Sequence, residues 1–387
     1  MNIGIFTDTY YPEVNGVANS TYELKNGLER LGHKVYIFTV TNPQVQRNSE
    51  RNVIRFASVP FVLMRERRLG CPVFRHIKKR IRSLNLDLIH TQTEFVMGHL
   101  GRRMAVYLNI PHIHTYHTIY EDYTHYLKIP GNTGFKGVIR RFSRHCCERA
   151  DMVIVPTEKV EKLLREYRVD KKIKVIPSGI NLQKFLTCDK ERVNSLIKKY
   201  DLDNKNVLIY IGRISKEKGL AKLIDYYSRL IKADCRAVLV IVGDGPEMPE
   251  LKKLAGYYGL NDKIIFTGMV PWSEIEDYYA LGNIFVSAST SETQGLTYAE
   301  ALASGLPLLV RADDCLDNIL VSGVNGVGFT AFEDFINGYN KLMADSNNPE
   351  FKNKIRQSII SLEGDAFAAK MERAYNEIAL TGKGSGR

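Results

Sequence analysis

Short apolar runs alternate along the chain with stretches whose apolar residues recur every three or four positions. In the first half the apolar runs are residues 2–7, 34–40, 86–91, 112–115, 152–155 and 175–177. Near-continuous runs of this length are typical of strands buried on both faces of a parallel sheet, and periodic stretches such as 17–30 are typical of the helices that cover it. A hinge is predicted at Ser178 and Gly179.

The same alternation begins again after the hinge. Its predicted strands are residues 207–212, 236–243, 264–267, 284–287 and 307–310, and its predicted helices are residues 220–230, 247–258, 274–280 and 297–303, with mostly helix from there to the end. Two such sets predict an α/β protein of two Rossmann-like, doubly wound domains, with a ligand site at the carboxyl ends of the strands. We expect domains at 1–178 and 179–364, and a C-terminal helix with a flexible tail at 365–387 that returns towards the first domain.

The composition narrows the class of protein. With 44% hydrophobic and 25% charged residues among 387, the chain is neither disordered nor collagen-like. Its longest apolar runs, such as 237–242, are far shorter than the ~18 residues of a membrane-spanning helix. The six cysteines include no Cys-x-x-Cys pair, which argues against a zinc site and for reduced thiols in the cytoplasm.

The net charge of +11 is concentrated in the first half of the chain. Residues 1–178 hold 29 of the 54 Lys and Arg residues and 16 of the 43 Asp and Glu residues, a balance of +13, so the remainder carries −2. A basic half attracts an anionic partner, such as a nucleic acid, an acidic membrane surface or an acidic substrate. The basic segments contain no nucleic-acid recognition module, so no nucleic-acid partner is expected.

Two loops have the composition of phosphate-binding sites. Gly16 follows the first strand where a helix begins, so its backbone can approach an anion at the positive end of that helix, although a plain turn explains it equally well. Arg213 and Lys218 flank the loop after the first strand of the second set, and two converging cations suit a diphosphate. A solvated basic turn is the alternative for this pair.

A pair of glutamates follows a later strand of the second half. Glu292 lies in a loop, and Glu300 lies eight positions further on, about two turns into the next helix. Between them, the backbone N–H groups of Gln294, Gly295 and Leu296 form an anion seat at the helix start. One carboxylate can contact sugar hydroxyls while the other accepts from a ribose; ordinary surface charge is the alternative.

These motifs resemble those of the glycosyltransferases of family 4, retaining enzymes of the GT-B fold, in which two Rossmann-like domains face each other across a deep cleft. The resemblance covers nearly the whole chain and rests on Asn15-Gly16-Val17, Arg213-x4-Lys218, Gly243-Asp244-Gly245-Pro246, Gly268-Met269-Val270, Glu292-x7-Glu300 and Ala303-Ser304-Gly305-Leu306-Pro307. One departure is Thr293-Gln294-Gly295, where these enzymes commonly carry Gly-Phe-Gly. This departure leaves the identity of the transferred sugar undetermined. It does not affect the reaction that the resemblance implies, which is hexosyl transfer from a UDP-sugar.

The resemblance implies a role for each segment. Arg213 and Lys218 would bind the donor's diphosphate and stabilise the departing nucleotide, while Gly16 would close on the same phosphates from the first domain. Glu300 would hold the ribose, and Glu292 would contact the transferred sugar. The other donor-binding residues that the resemblance implies are Gly243, Met269, Val270, Thr293, Gln294, Gly295 and Leu296.

Four histidines crowd one segment of the first half: His112, His114, His117 and His125. A metal site is one explanation, but no carboxylate or cysteine in the pattern completes a ligand set, and we predict none. By the family resemblance, His117 lies beside the anomeric carbon and is catalytic together with Glu292. No protein nucleophile is then needed, because the leaving diphosphate accepts the acceptor's proton. No cofactor is required, and Mg²⁺ is at most stimulatory, since side-chain cations supply its charge.

Two basic amphipathic segments account for much of the positive charge. In 71–84 and 135–149, apolar residues recur at helical spacing and basic residues fill the other faces. Helices of this kind lie on anionic membrane surfaces; the alternative is that the apolar stripe packs on the sheet and the charge is solvated. The residues predicted to contact membrane or acceptor are Arg75, Lys78, Lys79, Arg80, Arg82, Arg140 and Arg141.

Residues 6–17, 114–126 and 290–302 are also similar to the bacterial diacylglycerol glucosyltransferases. This resemblance implies transfer of glucose from UDP-glucose to the 3-hydroxyl of diacylglycerol, by a peripheral protein on the cytoplasmic face of the plasma membrane, in contact with anionic lipids and without a stable protein partner. Galactose or another donor sugar, and a soluble or polyprenyl-linked acceptor, are open alternatives. A nicotinamide dehydrogenase is excluded, because neither predicted domain has a Gly-x-Gly-x-x-Gly turn.

Overall fold

Two compact units make up the structure, a computed structural model that describes residues 1–45, 50–61, 64–71, 74–122 and 132–384. The first unit comprises Met1–Ile180 and Leu362–Arg387, and the second comprises Asn181–Ser361. The final segment of the chain therefore belongs to the first unit.

The first unit is built on a parallel sheet. Its strands are β1 (Asn2–Phe6), β2 (Lys34–Val40), β3 (Val53–Phe56), β4 (Ser58–Phe61), β5 (Met64–Gly70), β6 (Leu88–Thr91), β7 (His112–Thr115), β8 (Met152–Val155) and β9 (Ile173–Val175). Its helices are α1 (Gly16–Arg30), α2 (Phe74–Arg82), α3 (Val96–Leu108), α4 (Asn132–Cys147), α5 (Glu158–Glu166) and α14 (Gly364–Gly384). Over the described residues the sheet order is β3-β2-β1-β6-β7-β8-β9, and β4 and β5 form a separate antiparallel hairpin.

The second unit repeats this architecture. Its strands are β10 (Asn206–Ile211), β11 (Ala237–Val242), β12 (Ile264–Gly268), β13 (Ile284–Ser287), β14 (Leu308–Arg311) and β15 (Gly326–Phe329). Its helices are α6 (Leu182–Leu186), α7 (Lys190–Lys199), α8 (Leu220–Leu230), α9 (Met248–Tyr257), α10 (Ile275–Tyr279), α11 (Leu296–Ala303), α12 (Phe332–Asp345) and α13 (Pro349–Gln357). The parallel strands run in the order β12-β11-β10-β13-β14-β15.

Helices cover both sheets, in which strands such as β8 and β11 are apolar along their whole length. In the first unit, Phe367, Met371 and Tyr375 of α14 pack with Ile3 and Ile5 of β1 in one core, and α2 and α3 contribute to a second core. In each unit the strand order reverses direction around a central pair, β1 and β6 or β10 and β13. Ligands of doubly wound folds bind at such a switch point, beyond the carboxyl ends of the strands.

The predicted strands 34–40, 112–115, 152–155 and 284–287 are confirmed residue for residue. The expectation of mostly helix after residue 310 is wrong at β15, a short strand whose sequence, Gly-Val-Gly-Phe, offers no apolar run. Strand β3 and the β4–β5 hairpin were also not predicted. Helix α14 reaches Gly384, and the rest of the predicted flexible tail lies outside the described residues. No helix in the described part of the chain is both long and apolar enough to cross a bilayer.

Candidate active site

Close backbone contacts in the second unit bring together the loops that follow β10 and β11. A Cβ atom on Gly243 would lie 2.0 Å from the carbonyl oxygen of Gly212, and one on Gly245 would lie 2.2 Å from that of Ile214. Only glycine fits at these positions, because any side chain would push the two backbones apart. The predicted donor residue Gly243 is therefore fixed against the loop that carries Arg213, which is half-buried directly after β10.

Lys218 and Glu292, which are 74 residues apart, form an ion pair in the second unit. Lys218 ends a short 3₁₀-helix, and the next residue, Gly219, has a φ of 67° and packs so closely on Ala288 that a Cβ would lie 2.5 Å from its carbonyl oxygen. This contact holds the loop after β10 against the end of β13. Lys218 Nζ lies 2.7 Å from Glu292 Oε1, and the two side chains are only 17% and 16% exposed.

Glu300 is a buried carboxyl in the first turns of α11. The Tyr279 hydroxyl donates a hydrogen bond to Glu300 Oε2 at 2.8 Å, and Glu300 is 4% exposed. Burial raises the pKa of Glu300 to about 7, against the opposing effects of the Tyr279 hydrogen bond and of Lys184. Helix α11 begins after Gly295, whose φ of 74° is in the left-handed region that glycine favours.

The other predicted donor residues of the second unit lie at the ends of two strands. Thr293, Gln294 and Leu296 surround Gly295 at the start of α11, and Gln294 is buried. Met269 and Val270 directly follow β12, and the Met269 side chain is 74% exposed. Within this unit, then, the predicted residues gather at the carboxyl ends of β10 to β13.

Gly16 lies at the first position of α1 in the first unit, as predicted. Asn15 caps this helix, because its Oδ1 accepts a hydrogen bond from the backbone N–H of Ala18 at 3.0 Å. The Asn15 amide also donates to the Thr9 hydroxyl, which in turn donates to Glu13. This chain of hydrogen bonds orders the loop between β1 and α1.

The histidines of the first unit meet at the ends of β6 and β7. His112 Nε2 and His114 Nδ1 both lie 2.9 Å from the Thr91 hydroxyl, which confirms that these two histidines share a face of the strand. His117 Nε2 lies 2.6 Å from Gln92 Oε1. Burial, and secondarily His114, lowers the pKa of His117 to about 3, so this imidazole is neutral at physiological pH. His125 lies outside the described residues.

Glu94 is a residue of this cluster that the sequence analysis missed. Its Oε1 lies 3.4 Å from His114 Nε2, and its Oε2 accepts a hydrogen bond from the Tyr120 hydroxyl. The sequence analysis considered carboxylates only within the histidine segment, whereas Glu94 comes from the loop after β6. The available signal was the position of Glu94, three residues after β6. Strand β6 pairs in parallel with β7, with Thr91 opposite His114, so the loop after β6 lies beside the histidines. No group of three or more His, Cys, Asp or Glu side chains in the described residues is placed to hold a metal ion.

Helix α2 buries the apolar stripe that the sequence analysis considered for membrane contact. Ile77 and Ile81 are 8% and 1% exposed and belong to the core beneath the helix. The basic residues remain at the surface: Lys79, Arg80 and Arg82 are exposed, and Lys78 Nζ lies 4.5 Å above the ring of Tyr107. Packing on the sheet is thus correct for the stripe, and a basic rim remains. For Arg75 the structure describes only its place in the helix.

Helix α4 differs, because it exposes apolar side chains. Val138 is 59% exposed and Phe142 is 37% exposed. Arg141 is exposed, whereas Arg140 is held by Glu121, with Nε 2.5 Å from Oε1. Of the two basic residues predicted here, Arg140 therefore has a structural partner.

Comparison with known proteins agrees with this geometry. The family model described as Glycosyltransferase Family 4 matches residues 14–184, and that described as Glycosyl transferases group 1 matches residues 193–360. The chain is 42% identical, over 98% of its length and 87% of the relative's, to the alpha-monoglucosyldiacylglycerol synthase of Streptococcus pneumoniae (strain ATCC BAA-255 / R6). It is 36% identical to the synthase of the same name from Acholeplasma laidlawii, over 90% of this chain and 89% of that one.

Solved structures share the fold. Anabaena Alr3699/HepE, crystallised in complex with UDP, matches with a TM-score of 0.76 at 17% identity, over 97% of this chain and 100% of that one. The sucrose-phosphate synthase of Thermosynechococcus elongatus matches with a TM-score of 0.77 at 20% identity, over 98% and 99% of the two chains. Given this fold, the family matches and the 42% identity to a relative of nearly equal extent, the chain belongs to the retaining glycosyltransferases of family 4, with the GT-B fold.

Proposed function

We propose that this enzyme transfers glucose from UDP-glucose to the 3-hydroxyl of 1,2-diacylglycerol, with retention of anomeric configuration, to give α-monoglucosyldiacylglycerol. The observation that carries the proposal is the 42% identity, over 98% of the chain, to a synthase named for that product. The grouping of the donor residues at the strand ends of the second unit supports the reaction type.

The donor's diphosphate binds to Arg213 and Lys218 in this proposal. Both follow β10, and the Lys218 ammonium is already placed by Glu292 at 2.7 Å. Each charge-assisted hydrogen bond to a phosphate oxygen contributes about 1.5–3 kcal/mol, and it strengthens as negative charge develops on the leaving UDP. These cations neutralise that charge, so no cofactor is required and Mg²⁺ is at most stimulatory.

Two carboxylates and a histidine position the sugar nucleotide. Glu300 accepts hydrogen bonds from the ribose, and Glu292 accepts from the transferred glucose. His117 contacts the glucose as a neutral imidazole, consistent with its lowered pKa of about 3. With Nε2 donating to Gln92, Nδ1 is left as the acceptor for a sugar hydroxyl. The departing phosphate oxygen takes the proton from the acceptor's hydroxyl, and no covalent enzyme intermediate forms.

Because its acceptor is a membrane lipid, the enzyme works at an anionic membrane surface, which it approaches from the cytoplasmic side. The first unit's sequence carries the excess of positive charge, and Lys79, Arg80, Arg82 and Arg141 are exposed on its helices. Each Lys or Arg close to such a surface contributes about 1 kcal/mol, an attraction that salt screens. Peripheral attachment therefore needs no membrane-spanning helix.

A radiolabel transfer assay tests the reaction. Purified enzyme is given UDP-glucose or UDP-galactose, with or without diacylglycerol in phosphatidylglycerol vesicles, and labelled lipid is counted. Label from UDP-glucose alone, only when diacylglycerol is present, is expected. Label from UDP-galactose would correct the sugar, and UDP release without labelled lipid would overturn the acceptor. Lys218→Met should abolish transfer, whereas its control Lys222→Met, an exposed lysine of α8, should not.

Vesicle sedimentation tests the membrane part of the proposal separately. The variant replaces Lys79, Arg80 and Arg82 of α2 by Ser. The control replaces Lys190, Lys198 and Lys199 of α7 by Ser, so it loses the same charge. All six residues are exposed. Loss of three charges at ~1 kcal/mol each should weaken binding to phosphatidylglycerol vesicles on the order of 100-fold at low salt. Equal weakening by the control would show that net charge, and not helix α2, attracts the membrane.

A further inference from the structure

An apolar groove opens in the first unit, between the β4–β5 hairpin and the helices α3 and α4. Its volume is about 370 Å³, and its apolar lining comes from Leu69, Phe95, Val96, Leu100 and Phe142. This volume lies within the range of ~300–1,000 Å³ found for sites that bind small ligands. Neither the donor residues nor His117 line it, so the groove is separate from the groups already assigned.

Phe95 stands at a position where a helix usually has a polar cap. It is the N-cap of α3, makes no side-chain capping bond and is 47% exposed. Ser, Thr, Asp or Asn is strongly preferred at this position. The capping bond comes instead from Asp8 in the loop after β1, whose Oδ1 accepts from the backbone N–H of Met97 at 3.0 Å. Asp8 thus stabilises the helix and leaves position 95 to an exposed aromatic ring.

Aromatic rings form one wall of the groove. The rings of Phe95 and Phe142 are stacked with their centroids 6.3 Å apart, and Tyr120 meets both edge-on at 5.8 Å and 6.2 Å. The three rings support one another, so the wall does not depend on a guest for its shape. Such a wall buries a flexible hydrocarbon chain without requiring any directional contact.

Glu94 lies at the inner end of the groove, and its side chain is 2% exposed. Oε2 accepts from Tyr120, but Oε1 and the facing His114 Nε2, 3.4 Å away, make no hydrogen bond to any described residue. Buried polar atoms are nearly always hydrogen-bonded, and this pair, at ion-pair distance but without a hydrogen bond, can still bind a polar guest. One hydroxyl beside the pair satisfies both before transfer, because it donates to the carboxylate and accepts from the imidazole. In the transfer step this O–H leaves Glu94, and its proton goes to the departing phosphate oxygen.

The outer rim of the groove is basic. His99 and Arg103 line it. The pKa of His99 is lowered mainly by burial and further by the nearby charges of Arg102 and Arg149, so these two arginines also lie near the rim. A cluster of like charges around an apolar opening is complementary to an anionic membrane surface. The rim is therefore suited to meeting the bilayer from which a lipid enters.

We propose that this groove binds one acyl chain of a neutral glycerolipid, with the lipid's glycerol hydroxyl beside the Glu94–His114 pair and within hydrogen-bond reach of both. The inference rests on the proposed function, because it takes diacylglycerol as the occupant. It also explains why the acceptor is a neutral lipid. The Glu94 carboxylate would repel a lipid phosphate at the inner end of the groove, whereas it can accept a hydrogen bond from a lipid hydroxyl. Glu94 is a positioning residue for the acceptor in this arrangement.

Photo-crosslinking of the full-length enzyme locates the lipid without relying on turnover. The probe is a diacylglycerol with a diazirine on one acyl chain, carried in phosphatidylglycerol vesicles, and labelled peptides are mapped by mass spectrometry. Labelling in residues 64–71, 94–103 or 136–147 is expected. Labelling elsewhere in the chain would overturn the groove. If the enzyme glucosylates no diacylglycerol but is labelled in the groove, the proposed function fails and the lipid site stands.

One matched pair of variants and one further substitution sharpen this test. Val96→Trp fills the groove and should reduce labelling on the order of tenfold, the loss that corresponds to about two methylene groups no longer buried. Val106→Trp, on the same helix at a 75% exposed position outside the groove, should not reduce it. Glu94→Gln should let the phosphatidic acid analogue of the probe label the groove as well as diacylglycerol does. An unchanged preference for the neutral probe would overturn the role of Glu94, and equal labelling of the two Trp variants would overturn the groove.

Discussion

Replacing Glu300 by Gln is expected to stabilise the second unit at neutral and alkaline pH. The Glu300 carboxyl is 4% exposed, and burial raises its pKa from 4.5 to about 7. Because the folded-state pKa lies above the unfolded one, stability that is present below pH ~4.5 is lost as the pH rises through ~7. At ~1.4 kcal/mol for each pKa unit, this loss reaches about 3 kcal/mol at pH 8. Glutamine has nearly the same shape without the charge, and it can still accept from Tyr279, so it avoids the loss.

Thermal unfolding followed by circular dichroism at two pH values measures this effect. For a unit of this size, 3 kcal/mol corresponds to a rise in melting temperature of roughly 6–12 °C at pH 8. At pH 5 the folded carboxyl is almost wholly protonated and the pH is only about half a unit above the unfolded pKa of 4.5, so the loss is only about 1 kcal/mol and the rise should be correspondingly small. The control is Glu250→Gln on α9, whose side chain is 64% exposed, and we expect no comparable change.

Two results would refute the reasoning about Glu300. A stabilisation of equal size at pH 5 and pH 8 would mean that the buried charge is not its cause, and destabilisation at pH 8 would mean that the carboxylate is held by favourable contacts in the folded enzyme. The same variant also tests the ribose assignment. If Glu300 accepts hydrogen bonds from the ribose, the Glu300→Gln variant should bind UDP more weakly in calorimetry although it is more stable. Such a result is typical of a binding group that is kept at a cost in stability.

Three further substitutions probe the local contacts that position the site. Gly243→Ala should lower stability by about 1–3 kcal/mol in urea unfolding, since the new Cβ would lie 2.0 Å from the Gly212 carbonyl oxygen; an unchanged midpoint would mean that the two loops separate easily. Asn15→Ala should cost about 1 kcal/mol through loss of the α1 cap, and Asn15→Asp should restore most of it. Tyr375→Phe removes the buried hydrogen bond to His90 Nδ1 at 2.7 Å and should cost about 1–3 kcal/mol, whereas Tyr257→Phe, at an 83% exposed position, should have no effect.

The strands, and the position of the predicted donor residues at the strand ends, could be predicted because their signals are local. Strands β2, β8 and β13 consist almost wholly of apolar or β-branched residues, and a parallel sheet buries such runs on both faces. In β7 the residues Ile113 and Thr115 alternate with two histidines. The donor residues could be grouped for a related reason, since loops that follow neighbouring parallel strands meet at one edge of the sheet. The Lys218–Glu292 ion pair is the outcome of that rule.

Edge elements gave weaker signals. Strand β3 contains Arg55, which is 4% exposed because Glu50 and the carbonyl oxygen of Tyr11 hold its guanidinium. In the sequence this arginine interrupts the apolar run, and neither partner is near enough along the chain to suggest burial. Helix α2 posed the opposite problem: its apolar stripe has the same spacing whether it faces a core or a membrane, and only the packing of Ile77 and Ile81 decides.

The position of Glu94 after β6 was the one available signal, but its contact with His114 depends on the register of the sheet. The parallel pairing of Thr91 with His114 sets the loop after β6 beside the histidines, and a shift by one residue would turn His114 to the other face of the sheet. The groove depends further on Asp8, which belongs to a third strand's loop and caps α3 in place of residue 95. Three loops that are distant in sequence therefore have to be placed before an exposed Phe95 can be interpreted.

The positive charge of the first unit surrounds helix α3 on two sides. Lys78 of α2 contacts Tyr107 near the end of α3, and the field of Arg149, just beyond α4, reaches Arg102 and His99 in the middle of α3. Since α3 also lines the groove, the proposed attraction to an anionic surface and the proposed uptake of an acyl chain fall on the same helix. Long-range charge would bring the enzyme to any acidic bilayer, but it cannot distinguish one lipid from another within it. In the proposed arrangement, selection of a neutral acceptor therefore rests on the uncharged wall of the groove and on the buried Glu94 carboxylate at its inner end.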